Sequence, residues 1–253
     1  MTAVSAAPSR TSLTVEDTQI SVLRGGSGPP LLFLHGSDSF SEWQPFMAEL
    51  AARFDVIVPD HPGFGRSATP PWLDNIDDLV FFYRAFIEAL GLQRVVIAGH
   101  DIGGWIACEL ALRDPRNLRA LVLIASAGLP LCEDGVDTFM CSPEELRRAS
   151  YLDPEHALGM QTPKDALMTA RVAWSPRFHN PQLAKWLHRL DVPALVVWGD
   201  DDIIFPSRQA DVFADAIPGA QMLVIDDTGH LPHVEAPVAF AGGVAAFLDG
   251  VEP

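Results

Sequence analysis

The sequence is organised around one short stretch, Gly99-His100-Asp101-Ile102-Gly103-Gly104. An apolar, β-branched run at 95–98 leads into this stretch, and a helical pattern at 105–111 leads out of it. A buried strand, a tight glycine turn and a helix in this order are typical of a nucleophile elbow, whose apex residue is held in a strained conformation. Gly99 and Gly103 leave room for the strand and the helix to approach each other. The apex residue is Asp101, and any account of function must explain an aspartate at this position.

Apolar runs on both sides of the elbow predict a largely parallel sheet. Buried strands are predicted at 31–34, 56–58 and 118–125, and further strands at 194–198 and 222–225. Two edge strands are predicted within 12–24, joined near Glu16-Asp17. Helices are predicted at 41–53, 75–90, 206–216 and 236–248. Strands that alternate with helices are typical of a doubly wound α/β fold. The predicted fold class is therefore α/β, with a mostly parallel sheet.

The strand pattern stops in the second half of the chain. Between Gly128 and Leu187 the sequence has helix starts instead, such as Ser142-Pro143 and Thr162-Pro163, in which a capping residue precedes a proline. We therefore predict a helical cap at 128–187, inserted into an α/β core formed by 1–127 and 188–253.

Composition limits the class of partner. The formal net charge is −16, which argues against nucleic acid or an anionic membrane because phosphates would be repelled. The predicted partner is a small, apolar or neutral molecule, and no pattern sets the oligomeric state. The glycine turns lack a P-loop lysine and dinucleotide spacing, and the three cysteines lack metal spacing, so neither a cofactor nor a metal is predicted. Sparse cysteines, no membrane-length apolar run and small, polar residues at 1–10 predict a cytoplasmic location.

The potentially reactive side chains follow the ends of predicted strands. Asp101, Asp202 and His230 do so, as does the turn at His35-Gly36. In an open parallel sheet, ligands bind beyond the carboxyl ends of the strands. We therefore expect these residues, which are far apart in the sequence, to meet at one site.

Five motifs in order carry a resemblance to a known family. They are His35-Gly36, Asp60-x-Pro-Gly-Phe-Gly-x-Ser67, the elbow, Gly199-x-x-Asp202, and Gly229-His230 followed by Glu235-x-Pro237. With them the sequence resembles the α/β-hydrolases over essentially its whole length. The Pro-Gly-Phe-Gly turn and the short cap look most like those of ester and carbon–carbon bond hydrolases. The Gly-His-Asp elbow instead resembles that of epoxide hydrolases and haloalkane dehalogenases.

The resemblance implies a role for each residue that matches a motif. Asp101 is the expected nucleophile, His230 the base, and Asp202 the acid that orients the base, with Asp200 and Asp201 as alternatives for that acid. The backbone N–H groups of two further residues are expected to form the oxyanion hole; these are Ile102 and Ser37.

An aspartate nucleophile favours displacement at an alkyl carbon. It is already ionised near neutral pH, and attack on an sp3 carbon gives an alkyl ester that His230 and a water molecule can hydrolyse. Epoxides and alkyl halides both fit this scheme. The families with this elbow usually place tryptophan after the nucleophile, where this chain has Ile102; this removes a halide donor, so epoxide hydrolysis is the prediction.

The cap is expected to help the leaving group. Tyr151 is the predicted proton donor to an epoxide oxygen, whereas Tyr83 is expected to be packing. Other predicted pocket residues of the cap are Trp174, Trp186 and His179. Three alternatives remain: a dehalogenase; an esterase, lactonase or carbon–carbon bond hydrolase in which Asp101 replaces serine; and a ligand-binding protein with little turnover.

Overall fold

One eight-stranded sheet organises the computed structural model, which describes residues 6–153 and 161–252. The strands of this part of the chain are β1 (Ala6–Val15), β2 (Thr18–Gly26), β3 (Pro30–Leu34), β4 (Asp55–Pro59), β5 (Val95–His100), β6 (Leu118–Ile124), β7 (Ala194–Gly199) and β8 (Gln221–Ile225). Their order across the sheet is β1-β2-β4-β3-β5-β6-β7-β8. β2 pairs antiparallel with β1 and β4, and all the other neighbours are parallel. The predicted, mostly parallel α/β sheet is confirmed.

The edge hairpin shows how local sequence sets the register. Val15 pairs with Thr18, which leaves Glu16 and Asp17 as a two-residue turn. Both turn residues have positive φ, 46° and 56°, which suits the right-handed twist of the strands that they join. The predicted turn at Glu16-Asp17 is confirmed.

Helices cover both faces of the sheet. In the described part of the chain they are α1 (Pro45–Ala51), α2 (Ile76–Ala89), α3 (Ile102–Arg113), α4 (Pro143–Ser150), α5 (Pro163–Ala173), α6 (Arg208–Ala216), α7 (Pro232–Glu235) and α8 (Pro237–Asp249). One apolar core joins α2, α3 and α6 to the sheet, and a second joins α1 and α8 to the opposite face. The helix predicted at 41–53 is shorter because Pro45, which lacks an N–H, occupies its first turn. No sequence pattern predicted α7.

The chain between β6 and β7, termed here the β6–β7 segment, carries α4 and α5. Both predicted helix starts are confirmed: the Ser142 side chain accepts a hydrogen bond from the Glu145 N–H, and the Thr162 side chain accepts one from the Asp165 N–H. The division into core and cap stays a prediction. Part of the predicted cap, 154–160, lies outside the described residues, as do 1–5 of the stretch used to predict location, and residue 253.

The first turn of α5 ties the β6–β7 segment to the loops that follow β3 and β4. Asp165 accepts hydrogen bonds from the Gly65 N–H and the Ser39 Oγ–H, each at 2.8 Å. Lys164 Nζ donates to the carbonyl oxygens of Gly65 and Ser67. These bonds hold α5 over the carboxyl ends of the strands. No helix in the described ranges is both long enough and apolar enough to cross a bilayer.

The elbow depends on close contact between backbones. A Cβ on Gly99 would collide with the Gly103 carbonyl oxygen, and a Cβ on Gly103 would collide with the Leu34 carbonyl oxygen. The strand β5 and the helix α3 therefore pack against each other as the two glycines predicted.

We expect Gly103→Ala to destabilise the protein by about 3 kcal/mol, because the backbone atoms that the new methyl group meets cannot move aside without disturbing β3. The matched control is Gly242→Ala in α8, where an added Cβ meets nothing within 4 Å. That change should raise stability by up to about 1 kcal/mol through helix propensity. Urea unfolding of both variants tests the contact, and equal stabilities would contradict it.

Candidate active site

Asp101 lies at the apex of the turn between β5 and α3. Its backbone has φ 50° and ψ −120°, a strained conformation for a residue with a Cβ. Two neighbouring segments hold it there: the Asp101 N–H donates to the Ile124 carbonyl oxygen, and the Asp101 carbonyl oxygen accepts from the Ala127 N–H, both at 3.1 Å. The structure therefore contains the strained turn expected of a nucleophile elbow, and Ile102 begins α3 directly after it.

The two oxygens of the Asp101 carboxylate have different surroundings. Oδ2 accepts hydrogen bonds from the Ser37 N–H at 3.0 Å and from the Ser37 Oγ–H at 2.5 Å. Oδ1 is buried and has no hydrogen-bond partner among the described residues. One oxygen is therefore fixed by two donors, while no described residue donates to the lone pairs of the other.

The environment of Asp101 makes its carboxylate more basic than one on the surface. Burial raises its pKa, and the hydrogen bonds from Ser37 and the nearby His230 only partly offset that effect. Once ionised, such a carboxylate is a stronger base and nucleophile than an exposed one.

His230 and Asp202 form a hydrogen-bonded pair beside Asp101. His230 Nδ1 donates to Asp202 Oδ2 at 2.9 Å, and Asp202 Oδ1 accepts from the backbone N–H groups of Ile204 and Phe205. Burial alone would lower the pKa of His230, but the surrounding carboxylates, with Asp202 the strongest, raise it above its usual value. The pairing fixes the ring and leaves Nε2 as the nitrogen that can accept a proton.

The two alternatives for the acid lie elsewhere. Asp200 and Asp201 are exposed, and Asp200 accepts a hydrogen bond from the Thr228 N–H. Asp202 is buried and bonded to the histidine. The prediction relied on the third position after Gly199. That position holds the carboxylate that is hydrogen-bonded to His230.

A cavity of about 380 Å³ opens over these groups, and Ser37, Asp101, Tyr151 and His230 line it. Most of its remaining wall is apolar, with Phe40, Phe139, Leu146, Phe178, Phe205 and Leu231. A site of this size and lining suits a small molecule with an apolar or aromatic body. No group of three or more His, Cys, Asp or Glu side chains suited to a metal ion occurs within 6–153 and 161–252.

Three of the four predicted cap residues are not cavity residues. Trp174 and Trp186 are each 51% exposed, and Trp174 packs against Phe139 and Arg177. His179 Nδ1 donates to the Arg177 carbonyl oxygen. The assignment of these three residues to the pocket is therefore corrected. The sequence does not set the direction of their side chains, because that direction depends on how the β6–β7 segment packs. Tyr151, which is 8% exposed, does line the cavity.

Sequence reasoning missed Asp38, which also lines the cavity. Its Oδ1 is buried without a hydrogen-bond partner in the described part of the chain. Burial raises its pKa to about 7, supported by the negative charges of Asp165 and Asp101. The available signal was its position directly after Ser37 in the predicted oxyanion turn.

Several known proteins similar to this chain are hydrolases. The model of the alpha/beta hydrolase family matches residues 31–242. The 2-hydroxymuconate semialdehyde hydrolase of Pseudomonas sp. (strain CF600) is 32% identical, with 88% of each chain covered. The putative carbamate hydrolase RutD of Pseudomonas savastanoi pv. phaseolicola is 27% identical, over 92% of this chain and 95% of that one. A solved serine hydrolase involved in carbazole degradation, the CarC enzyme, is 25% identical with a TM-score of 0.82, over 96% of this chain and 99% of that one.

We expect Ser37→Ala to raise the pKa of Asp101 further, because the lost hydroxyl donates to the charged form. The ionised fraction of Asp101 would then fall at mildly acidic pH. A carbon-13 NMR titration of labelled aspartate carboxyls, assigned with Asp101→Asn, measures the change. Ser41→Ala is the matched control, since Ser41 lies on the same cavity wall and, within the described residues, only its backbone oxygen is hydrogen-bonded, to Arg10. An unchanged Asp101 titration in Ser37→Ala would contradict the assigned bond.

Proposed function

The chain belongs to the alpha/beta hydrolase family, and we propose that this hydrolase opens epoxides to diols through a covalent alkyl ester of Asp101. The observation that carries the proposal is the unequal hydrogen bonding of the Asp101 carboxylate. Oδ1 is free of donors in the described structure, so it can attack, and Oδ2 is already bound to the Ser37 donors.

In the first step, Asp101 Oδ1 attacks an epoxide carbon and the ring C–O bond breaks. The product is an alkyl ester whose carbonyl oxygen is Oδ2. No base is needed for this step because the nucleophile is a carboxylate.

In the second step, His230 takes a proton from a water molecule, which attacks the carboxyl carbon of Asp101. Negative charge then develops on Oδ2, where the Ser37 N–H and O–H already donate. The Ile102 N–H, at the start of α3, is the second backbone donor in this proposal. Asp202 keeps the His230 ring oriented throughout.

The cavity wall supports an apolar epoxide over an alkyl halide. A departing halide is stabilised by N–H donors such as indoles, and the lining residues of the described chain include no tryptophan. An epoxide oxygen needs a proton donor instead, and the Tyr151 side chain is one group on the wall that can supply a hydrogen bond.

The relatives favour a second candidate, hydrolysis of an ester or a carbon–carbon bond with Asp101 as a base. The relative at 32% identity is a 2-hydroxymuconate semialdehyde hydrolase, and the CarC enzyme is a serine hydrolase. In this scheme a carbonyl substrate reacts and no alkyl ester forms on Asp101.

The His230→Ala variant should accumulate a covalent adduct when mixed with styrene oxide, because alkylation proceeds and ester hydrolysis is blocked. Intact-mass measurement detects the adduct, and peptide mapping should locate it on Asp101. The control is the double variant Asp101→Asn, His230→Ala, which should stay unmodified.

Two outcomes would count against the ester. Absence of an adduct with both styrene oxide and (2-bromoethyl)benzene would exclude a mechanism in which Asp101 attacks an alkyl carbon. Hydrolysis of aryl esters by the wild-type protein, together with that absence, would favour the second candidate.

Tyr151→Phe should slow epoxide opening about tenfold, because the variant loses one hydrogen bond to the developing alkoxide. The rate is measured as single-turnover adduct formation in the His230→Ala background at saturating styrene oxide, which separates opening from binding. A rate equal to that of the parent would exclude Tyr151 from the step.

A further inference from the structure

Opening an epoxide leaves an alkoxide that must gain a proton, and the cavity offers few groups able to give one. Tyr83, the other of the two tyrosines, is fully buried and hydrogen-bonded to His61 Nδ1. His230 is required later as the base. The side chain of Tyr151 is a phenol, and phenols are much weaker acids than carboxylic acids. A stronger acid facing the cavity would fit the chemistry better.

Asp38 meets this requirement by position. It directly follows Ser37, whose N–H and O–H hold Asp101, so the loop that fixes the nucleophile also carries a second carboxyl group. Gln161 Nε2 donates to the Ser37 carbonyl oxygen at 2.8 Å, and the Gln161 side chain lowers the pKa of Asp38. Both carboxyl groups lie on the wall of one cavity.

We propose that Asp38 is held as a neutral carboxylic acid and donates the proton to the epoxide oxygen while Asp101 attacks. This inference rests on the proposed epoxide chemistry and adds a catalytic residue to it.

The hydrogen bonding of Asp38 supports the neutral form. A buried carboxylate oxygen needs donors for its lone pairs, and Oδ1 of the partly buried Asp38 has none among the described residues. Asp202 shows the contrast, since its two oxygens together accept bonds from His230, Ile204 and Phe205. A proton on Asp38 removes the cost of an unpaired buried charge and supplies a donor.

Overall, the charged groups that face Asp38 also favour its protonated form. After burial, the main influences on its pKa are the carboxylates of Asp165 on α5 and Asp101 at the elbow, both of which raise it. His230 and Gln161 lower it, and the result is a pKa of about 7. Arg147 of α4 also lines the cavity. An acid of this strength is substantially protonated at neutral pH and can still release its proton.

The proton transfers balance over one catalytic cycle. Asp101 Oδ1 forms the new C–O bond, the ring C–O bond breaks onto the epoxide oxygen, and that oxygen takes the Asp38 proton. His230 then removes a proton from water, and the hydroxide formed attacks the Asp101 ester. Collapse of the tetrahedral intermediate releases an alkoxide, which takes the proton from His230 and leaves as the diol. The proton that Asp101 loses on returning to a carboxylate restores Asp38.

Two probes of similar shape separate proton donation from positioning. Styrene oxide needs a proton on its leaving oxygen, whereas (2-bromoethyl)benzene releases bromide without one. Adduct formation is timed with both probes in the His230→Ala background, with and without Asp38→Asn. Glu42→Gln, an exposed carboxylate four residues away, is the matched control for loss of a charge.

Asp38→Asn should slow alkylation by styrene oxide by about a hundredfold and change alkylation by the bromide less than about threefold. With Asp38 intact, alkylation by the epoxide should fall as pH rises through and above 7, because the acid loses its proton. That alkaline decline should disappear in Asp38→Asn and persist in Glu42→Gln.

The bromide reaction also serves as the test that the variant is folded. Equal slowing of both probes would mean that Asp38 only positions Asp101, and no slowing of either would mean that it takes no part; each result overturns the inference while leaving the Asp101 ester intact. Absence of any adduct with Asp38 present would overturn the proposed function, and the inference with it.

Discussion

The site depends on one interaction, the pair of hydrogen bonds from Ser37 to Asp101 Oδ2. They hold a buried carboxylate on a strained backbone, and both the burial and the strain oppose that arrangement. The loop can come close enough only because residue 36 is glycine, where a Cβ would lie 2.6 Å from His100 Nδ1 and 2.9 Å from Asp101 Cβ.

A pair of neutral histidines fixes the loop that carries Ser37. The His61 N–H donates to His35 Nε2, so His35 holds its proton on Nδ1, which donates to the Gly36 carbonyl oxygen. His61 Nε2 in turn donates to the His35 carbonyl oxygen at 2.8 Å. Burial lowers the pKa of both rings. His35, which sequence reasoning named only within a motif, and His61, which occupies an unspecified position of another motif, thus hold the loop whose Ser37 donates to Asp101.

The sequence predicted the parts of this arrangement that are local. Asp101, Asp202 and His230 each follow a strand, and a parallel sheet brings such residues to one edge whatever the details of packing. Trp174 and Trp186 could not be placed in this way, because the direction of a side chain in the β6–β7 segment depends on tertiary contacts. Asp38 was missed for a related reason: the burial of a carboxyl group and its lack of donors are properties of the folded cavity.

The position of Asp101 Oδ2 also bears on the choice between displacement and acyl chemistry. In a serine hydrolase of this fold, the donors beside the nucleophile bind the oxygen of the substrate carbonyl as it becomes an oxyanion. Here the Ser37 N–H and O–H already donate to the carboxylate of Asp101. An ester substrate would have to displace Oδ2, which would leave a second buried oxygen of Asp101 without donors. Attack on an alkyl carbon does not require Oδ2 to leave the Ser37 donors, because the charge that develops during hydrolysis of the ester falls on Oδ2 itself. Occupation of the Ser37 donors by Asp101 therefore supports the proposed displacement at an alkyl carbon, in addition to the reactivity of the aspartate itself.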